Sequence, residues 1–202
     1  MLTFDETSHS YFWNNKPVTS VTQIINEFIK VTINGSDWHV NRFTGAVIPS
    51  YLMEEGAEKG KDLHKGCQLL LQGGLDWDSL DIEYVAPLQQ FEKWLKQFQI
   101  EPLYTETMFY HPKMNYCGTI DLIAVVDKVL SIVDFKTGEC STVDIQLSAY
   151  KEGWTAQEKY YGKVDKYALW LPKNGNQPKL EKITVDSFQD FKACMILKPR
   201  RK

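Results

Sequence analysis

A mixed α/β (α+β) fold, with a central mixed β-sheet flanked by helices, is what the sequence predicts. Three observations predict it. Residues 118–126 (GTIDLIAVV) and 129–136 (VLSIVDFK) are two runs rich in Val, Ile and Leu, separated by only Asp127 and Lys128. A helix-period segment and another strand follow them, and further helix-period segments stand before and after. A strand, hairpin, helix, strand order with helices at either end implies a sheet covered on both sides.

The elements follow in chain order. Residues 2–19 read as a hairpin with its turn at Asn14-Asn15, because short aromatic and apolar runs flank those asparagines. Ser20 or Thr22 caps a helix over 21–28. Residues 31–48 carry turn signals at Asn34-Gly35 and Thr44-Gly45, and no element is assigned there. From Pro49 one long helix runs to Gly73-Gly74, with Leu63, Cys67, Leu70 and Leu71 at helical spacing. A second helix spans 84–98, turning Leu88, Phe91, Leu95 and Phe98 inward. Residues 104–110 form a strand before the hairpin. Ser141 and Asp144 resemble a capping box, with Asp in the Glu position, that opens a helix to about Tyr160. Strands 164–171 and 179–185 flank the turn at Lys173–Asn176, and Ser187 caps a last helix to about Leu197. No repeat, low-complexity tract or linker interrupts the chain, so residues 1–202 read as one domain. Within it, 1–100 hold the N-terminal hairpin and helices, about 101–186 the core, and 187–198 the C-terminal helix.

Composition narrows the function classes. Of 202 residues, 43% are hydrophobic and 24% charged, proportions that give one good-sized core. There is no apolar run of about 18 residues, so no spanning helix and no membrane partner is expected. The opening MLTFDETSHSYFW is acidic and polar, unlike a signal peptide. Cys67, Cys117, Cys140 and Cys194 contain no C-x-x-C pair, which argues against a zinc ribbon, and without an export signal they read as reduced thiols in a cytoplasmic compartment. A formal charge of −3 gives no global attraction to nucleic acid. Any such surface must be a local patch, and the basic tail Lys198–Lys202 reads as a frayed solubilising terminus before it reads as one.

The hairpin carries the chemistry. If Val126 pairs with Val129, Asp121 faces Asp134 with Cβ atoms about 4.5–5.5 Å apart. Lys136, two residues on, projects from the same face as Asp134. Two carboxylates that close repel each other and lose solvation, so their pKa values rise unless something positive sits between them. A divalent cation meets that need, since Mg²⁺ and Mn²⁺ prefer carboxylate oxygen. The alternative is a Lys136–Asp salt bridge on a sheet edge. Strands apolar on both faces favour the first reading, because buried charge needs a reason.

Four pieces, in order, resemble the PD-(D/E)XK nuclease superfamily, in its RecB-like and phage-type exonuclease branch. Gly60 to His64 looks like the helical G-x-x-x-H element, and Gly118 to Asp121 matches G-x-h-D, where h is hydrophobic. Asp134-Phe135-Lys136 matches D-h-K, and Gln146 to Tyr150 matches Q-x-x-x-Y. Ile120 stands where the nominal signature has proline.

The resemblance implies a restriction-endonuclease-like core and a Mg²⁺- or Mn²⁺-dependent deoxyribonuclease, an exonuclease ahead of a structure-specific endonuclease. A non-catalytic nucleic-acid-binding protein that retains the fold is the alternative outside enzymes. DNA, single-stranded or with duplex ends, is the implied partner in replication, recombination or repair, with a recombination or replication protein as a second one. Catalytic roles fall on Asp121, Asp134 and Lys136, and metal ligation on His64, Asp121, Asp134 and the Phe135 backbone carbonyl. Gln146 and Tyr150 position DNA or the catalytic groups; as a helix pair four residues apart they also read as a core tyrosine with its hydrogen-bonded neighbour. Glu106, on the strand before the hairpin, is either a supporting or second-metal carboxylate or a solvated strand residue. Lys136 acts as a general base if burial lowers its pKa, or as an electrostatic clamp. Gly60 in a helix implies close approach to another backbone. Trp154, Tyr160 and Tyr161 stack on unpaired bases or belong to the core. Some relatives carry a four-cysteine iron–sulfur cluster; with only Cys194 near the C-terminus, no cluster is expected here.

Overall fold

A computed structural model of the chain describes residues 1–98 and 100–197. The basic tail lies outside the described residues. The architecture is mixed α/β, a large mixed sheet with helices on both faces.

Leu2–Asp5 (β1), Ser10–Trp13 (β2) and Lys16–Ser20 (β3) form an antiparallel meander. The turn at Asn14-Asn15 is as expected, both residues being left-handed, but it joins β2 to β3. The expected single hairpin is therefore a three-stranded unit, because a further turn at residues 6–9, held by the Asp5 carboxylate, folds β1 back onto β2. Ser20 caps Val21–Ile29 (α1) in a reciprocal capping box with Gln23.

The unassigned stretch contains three strands: Lys30–Ile33 (β4), Ser36–Val40 (β5) and Val47–Pro49 (β6). They make a separate small antiparallel sheet. Ser50–Leu71 (α2) matches the expected long helix and ends in a left-handed Gly73, with the Gly74 amide returning to the Leu69 carbonyl. Ile82–Gln97 (α3) buries Leu88 and Phe91 as expected. Its inward face continues to Trp94, 1% exposed, whereas Phe98 is 46% exposed. Phe98 has already left the helix with extended torsions, which removes it from the stripe.

Ile100–His111 (β7) is longer than expected. It pairs along its length with Tyr116–Val126 (β8), with an irregularity between Pro102 and Tyr104. Val129–Lys136 (β9) returns along β8 through the two-residue turn Asp127-Lys128, both in the left-handed region that such turns require. Val126 pairs with Val129, the expected register. Val143–Glu158 (α4) connects β9 to Asp165–Trp170 (β10), which runs parallel to β9. The expected capping box is absent: Thr142 holds the N-cap position without a side-chain capping bond. Arg42 has taken both of the box residues, its amide donating to the Ser141 hydroxyl and its guanidinium pairing with Asp144. Lys179–Lys182 (β11) pairs with β10, and Phe188–Leu197 (α5) closes the described chain. Ser187 precedes α5, but its hydroxyl donates to Asp144 instead of capping.

The sheet forks. β7 occupies one edge of β8 along its whole length, so the two other partners of β8 must share the opposite edge. There β3 pairs only with Tyr116 and Cys117, in parallel, while β9 pairs with Leu122 to Val126. The meander branches from one half of β8, and β9, β10 and β11 from the other. Between the branches lie Gly118 to Asp121.

One core fills the α1, α4 and α5 face and includes Phe109, Tyr116, Ile120, Ile123 and Ile132. The other fills the α2 and α3 face and includes Leu122, Ala124, Val126, Val133 and Phe135. Ile120 and Leu122 lie in different cores although two residues apart, so the alternation of faces inverts at Asp121.

Candidate functional site

The fork assembles the site. The β8–β9 ladder ends at Leu122 and Val133, one pair short of Asp121 and Asp134. In place of a further ladder bond, Asp121 Oδ2 accepts the Phe135 amide at 2.5 Å. The Phe135 ring packs in the α2–α3 core against Phe91 and edge-on to His64, as its position between Asp134 and Lys136 requires. In an extended strand a residue's N–H and C=O point to the same edge, so the Phe135 carbonyl also faces the fork.

Each sequence-derived residue has a definite place. His64, on α2, brings Nδ1 to 3.7 Å from Asp121 Oδ1 and remains a quarter exposed. Asp134 is buried; its Oδ1 accepts the Gln146 amide at 3.0 Å and its Oδ2 pairs closely with Lys136 Nζ. Lys136 Nζ also donates to Gln146 Oε1 at 3.0 Å, and Gln146 Nε2 lies 2.9 Å from the Tyr150 hydroxyl. Gln146 thus presents its oxygen to the ammonium and its nitrogen to the carboxylate, the orientation the charges demand. Gln146 and Tyr150 are both buried; Gln146 bonds both members of the charged pair directly, and Tyr150 reaches it only through Gln146, which is the reading of a core tyrosine with its hydrogen-bonded neighbour. Glu106 lies on β7 where the ladder skips the residues between Thr105 and Thr107, opposite Asp121 on β8. Its φ of +49° is rare for a non-glycine residue inside a strand. Such strain gathers at functional sites.

Burial dominates the electrostatics. It raises the Asp134 pKa, and the neighbouring Asp121 adds to that rise against the opposing pull of Lys136. Burial acts on Asp121 in the same sense, but His64, Lys136 and the Phe135 amide outweigh it and its carboxyl titrates below the usual range. Burial opposes a charged His64, yet Asp121 and Asp134 hold its pKa above the ordinary value. Burial and the Asp121 charge push Glu106 up to about 7. For Lys136, burial is overcome by Asp134, so its pKa is raised. The lowered value that a lysine general base needs is not found.

His64, Asp121, Asp134 and Glu106 are the nitrogen and oxygen donors a hard cation takes. Among the described residues no three His, Cys, Asp or Glu side chains stand in a ready-made ligand arrangement. Lys136, Gln146 and the Phe135 amide hold the carboxylates instead.

Gly60 does approach a neighbour closely, but the neighbour is a side chain: a Cβ there would lie 2.9 Å from Thr137 Oγ1. Gly118 leaves room for the Tyr150 and Phe109 rings, which a Cβ would meet at 2.9 and 3.0 Å. Of the three aromatics proposed for stacking, Trp154 is buried in the α1, α4 and α5 core, while Tyr161 is 94% exposed. The sequence reading missed Tyr11. Its hydroxyl bonds Thr119 Oγ1 at 2.7 Å, two residues from Asp121, across a separation of 108 residues that no local pattern reveals. The four cysteines are free thiols. No helix of the described residues is long and apolar enough to cross a membrane.

No family model and no curated protein matches the chain.

Proposed function

We propose that the protein is a Mg²⁺- or Mn²⁺-dependent deoxyribonuclease on a restriction-endonuclease-like core, acting as an exonuclease. One observation carries the reading: Asp121, Asp134, Lys136, Gln146 and His64, spread over four elements, converge on a break in the sheet. Crevices where neighbouring strands diverge are where open α/β sheets hold ligands. Burying carboxylates is costly without a compensating charge, and although His64 and Lys136 outweigh burial at Asp121, Asp134 and Glu106 both remain above the ordinary carboxyl range.

The residues that would hold the cation are Asp121, Asp134, the Phe135 carbonyl and His64, with Glu106 available for a second ion. The chemistry a divalent cation supplies when bound is polarisation of the scissile phosphate and acidification of the attacking water. Lys136 then offsets charge that builds on the phosphorus oxygens, in a position fixed by Gln146 and Asp134. Glu106, pushed up to about 7, can exchange a proton at neutral pH. Water adds to phosphorus as the bond to the 3′ oxygen breaks, leaving 5′-phosphate ends.

Purified protein should degrade end-labelled DNA with Mn²⁺ or Mg²⁺ and stop with EDTA. Asp134→Asn and Lys136→Ala should each lose about 10²–10³-fold or more in rate while remaining folded. Circular single strands left intact would mark an exonuclease. Well-folded protein that cleaves no single-stranded, duplex or circular DNA with either metal would sink the reading.

A further inference from the structure

The half of the sheet beyond the fork has an unusual outer face. Tyr116, Gly118 and Ile120 of β8 and Phe109 of β7 face the α1, α4 and α5 core, so Thr119, Met108 and Tyr110 point the other way. On that side the α2–α3 core takes β8 residues only from Leu122 onward. What lies over the N-terminal half is aromatic. Tyr11 reaches across β3 to Thr119, and Trp13 stacks on Tyr110 with ring centroids 4.2 Å apart and planes 11° from parallel. Phe4 packs beside Tyr11 at 4.6 Å. Tyr11, Trp13 and Tyr110 are all partly exposed, and Met108 is exposed.

This face leads into the site. Tyr110 pairs with Cys117 and Met108 with Thr119, so along β8 the rings stand about 7–13 Å from Asp121. Beyond the rings, away from the carboxylates, are two exposed lysines: Lys16, paired with Trp13, and Lys113, in the β7–β8 turn. Acidic, aromatic and basic groups therefore follow one another in a line. Backbone charge would meet the lysines, and unpaired bases would meet the rings. A duplex hides the faces of its bases, so flat rings of this kind favour a single strand.

We propose that this aromatic face binds the single strand next to the scissile phosphate, with the Trp13–Tyr110 pair as a stacking platform for its bases. The proposal rests on the nuclease reading and names the substrate form it takes.

The test is binding of labelled oligothymidylate and of a duplex of equal length by fluorescence anisotropy, with cleavage disabled by Asp134→Asn. In that background Trp13→Ala should weaken single-strand binding about 10-fold. Trp13→Phe should restore most of it, and duplex binding should change little. Tyr110→Ala should act like Trp13→Ala, with thermal melting confirming that each variant is folded. Unchanged single-strand affinity in folded Trp13→Ala and Tyr110→Ala overturns the platform, as does an equal loss on duplex. A parent protein that binds neither form, and whose unmutated counterpart cuts neither, overturns the nuclease reading itself.

Discussion

Gln146 touches both charges of a buried ion pair. Gln146→Ala leaves the Lys136 ammonium and the Asp134 carboxylate each short of a partner away from water. It should cost about 1–3 kcal/mol in urea unfolding. The same variant should slow cleavage yet still require metal, because the carboxylates remain. Asp144 makes a separate, metal-independent prediction. Burial acts to raise its pKa, but Arg42 and the Ser187 hydroxyl outweigh burial and hold it low. A depressed folded pKa contributes stability that is complete above the unfolded value, about 3.9, and is lost as pH falls through the lower folded one. Asp144→Asn should therefore lower the unfolding free energy from urea titration near neutral pH by about 1.5–3 kcal/mol. The gap to the unmutated protein should close towards pH 3. A gap that stays constant with pH would show that the Asp144 charge does no work.

At the scale of elements, the close contacts of two glycines set the distance between α4 and the sheet. A Cβ on Gly153 would lie 2.1 Å from Phe109 Cε2, and Phe109 is fully buried with nowhere to retreat. Gly153→Ala should cost about 1–3 kcal/mol, measured by thermal or urea unfolding. Gly118→Ala should act on rate instead: a methyl there presses on the Tyr150 ring, which carries the hydroxyl beside Gln146. The β8–β9 hairpin was legible because its apolar runs leave only two residues for the turn, which fixes the register from Val126–Val129 to Leu122–Val133; the direct facing expected of Asp121 and Asp134 lies one pair beyond the ladder. Strands β4, β5 and β6 were not, since β4 is exposed throughout and the others are at most half-buried, leaving no alternation to read. Trp94 and Phe98 were exchanged because helical spacing alone does not say where a helix ends. Capping by Ser141 and Asp144 failed because Arg42, about a hundred residues away in sequence, competes for the same atoms. Local patterns carry local geometry and nothing of such distant partners.

Over the whole molecule, two cores lie on opposite faces of one sheet, and β8 contributes to both. The strand order within the half that carries Asp134 and Lys136 was readable, because β9, α4 and β10 follow one another in the chain. The fork was not, because it depends on β3 finding the edge of β8 about a hundred residues downstream. In the backbone ladder that junction is just two residue pairs, Thr19 with Tyr116 and Ser20 with Cys117, supplemented by the Tyr11–Thr119 bond and the Trp13–Tyr110 stack. A seam so short makes the first twenty residues the natural unit of partial opening. In native-state hydrogen exchange, amides of β1, β2 and β3 should lose protection together, at a free energy below that of β8 and β9. Equal protection in both groups would contradict this. Opening along the seam would strip one flank from the Asp121 crevice while leaving Asp134, Lys136 and Gln146 joined, so the molecule can unlatch its entrance without dismantling its working parts.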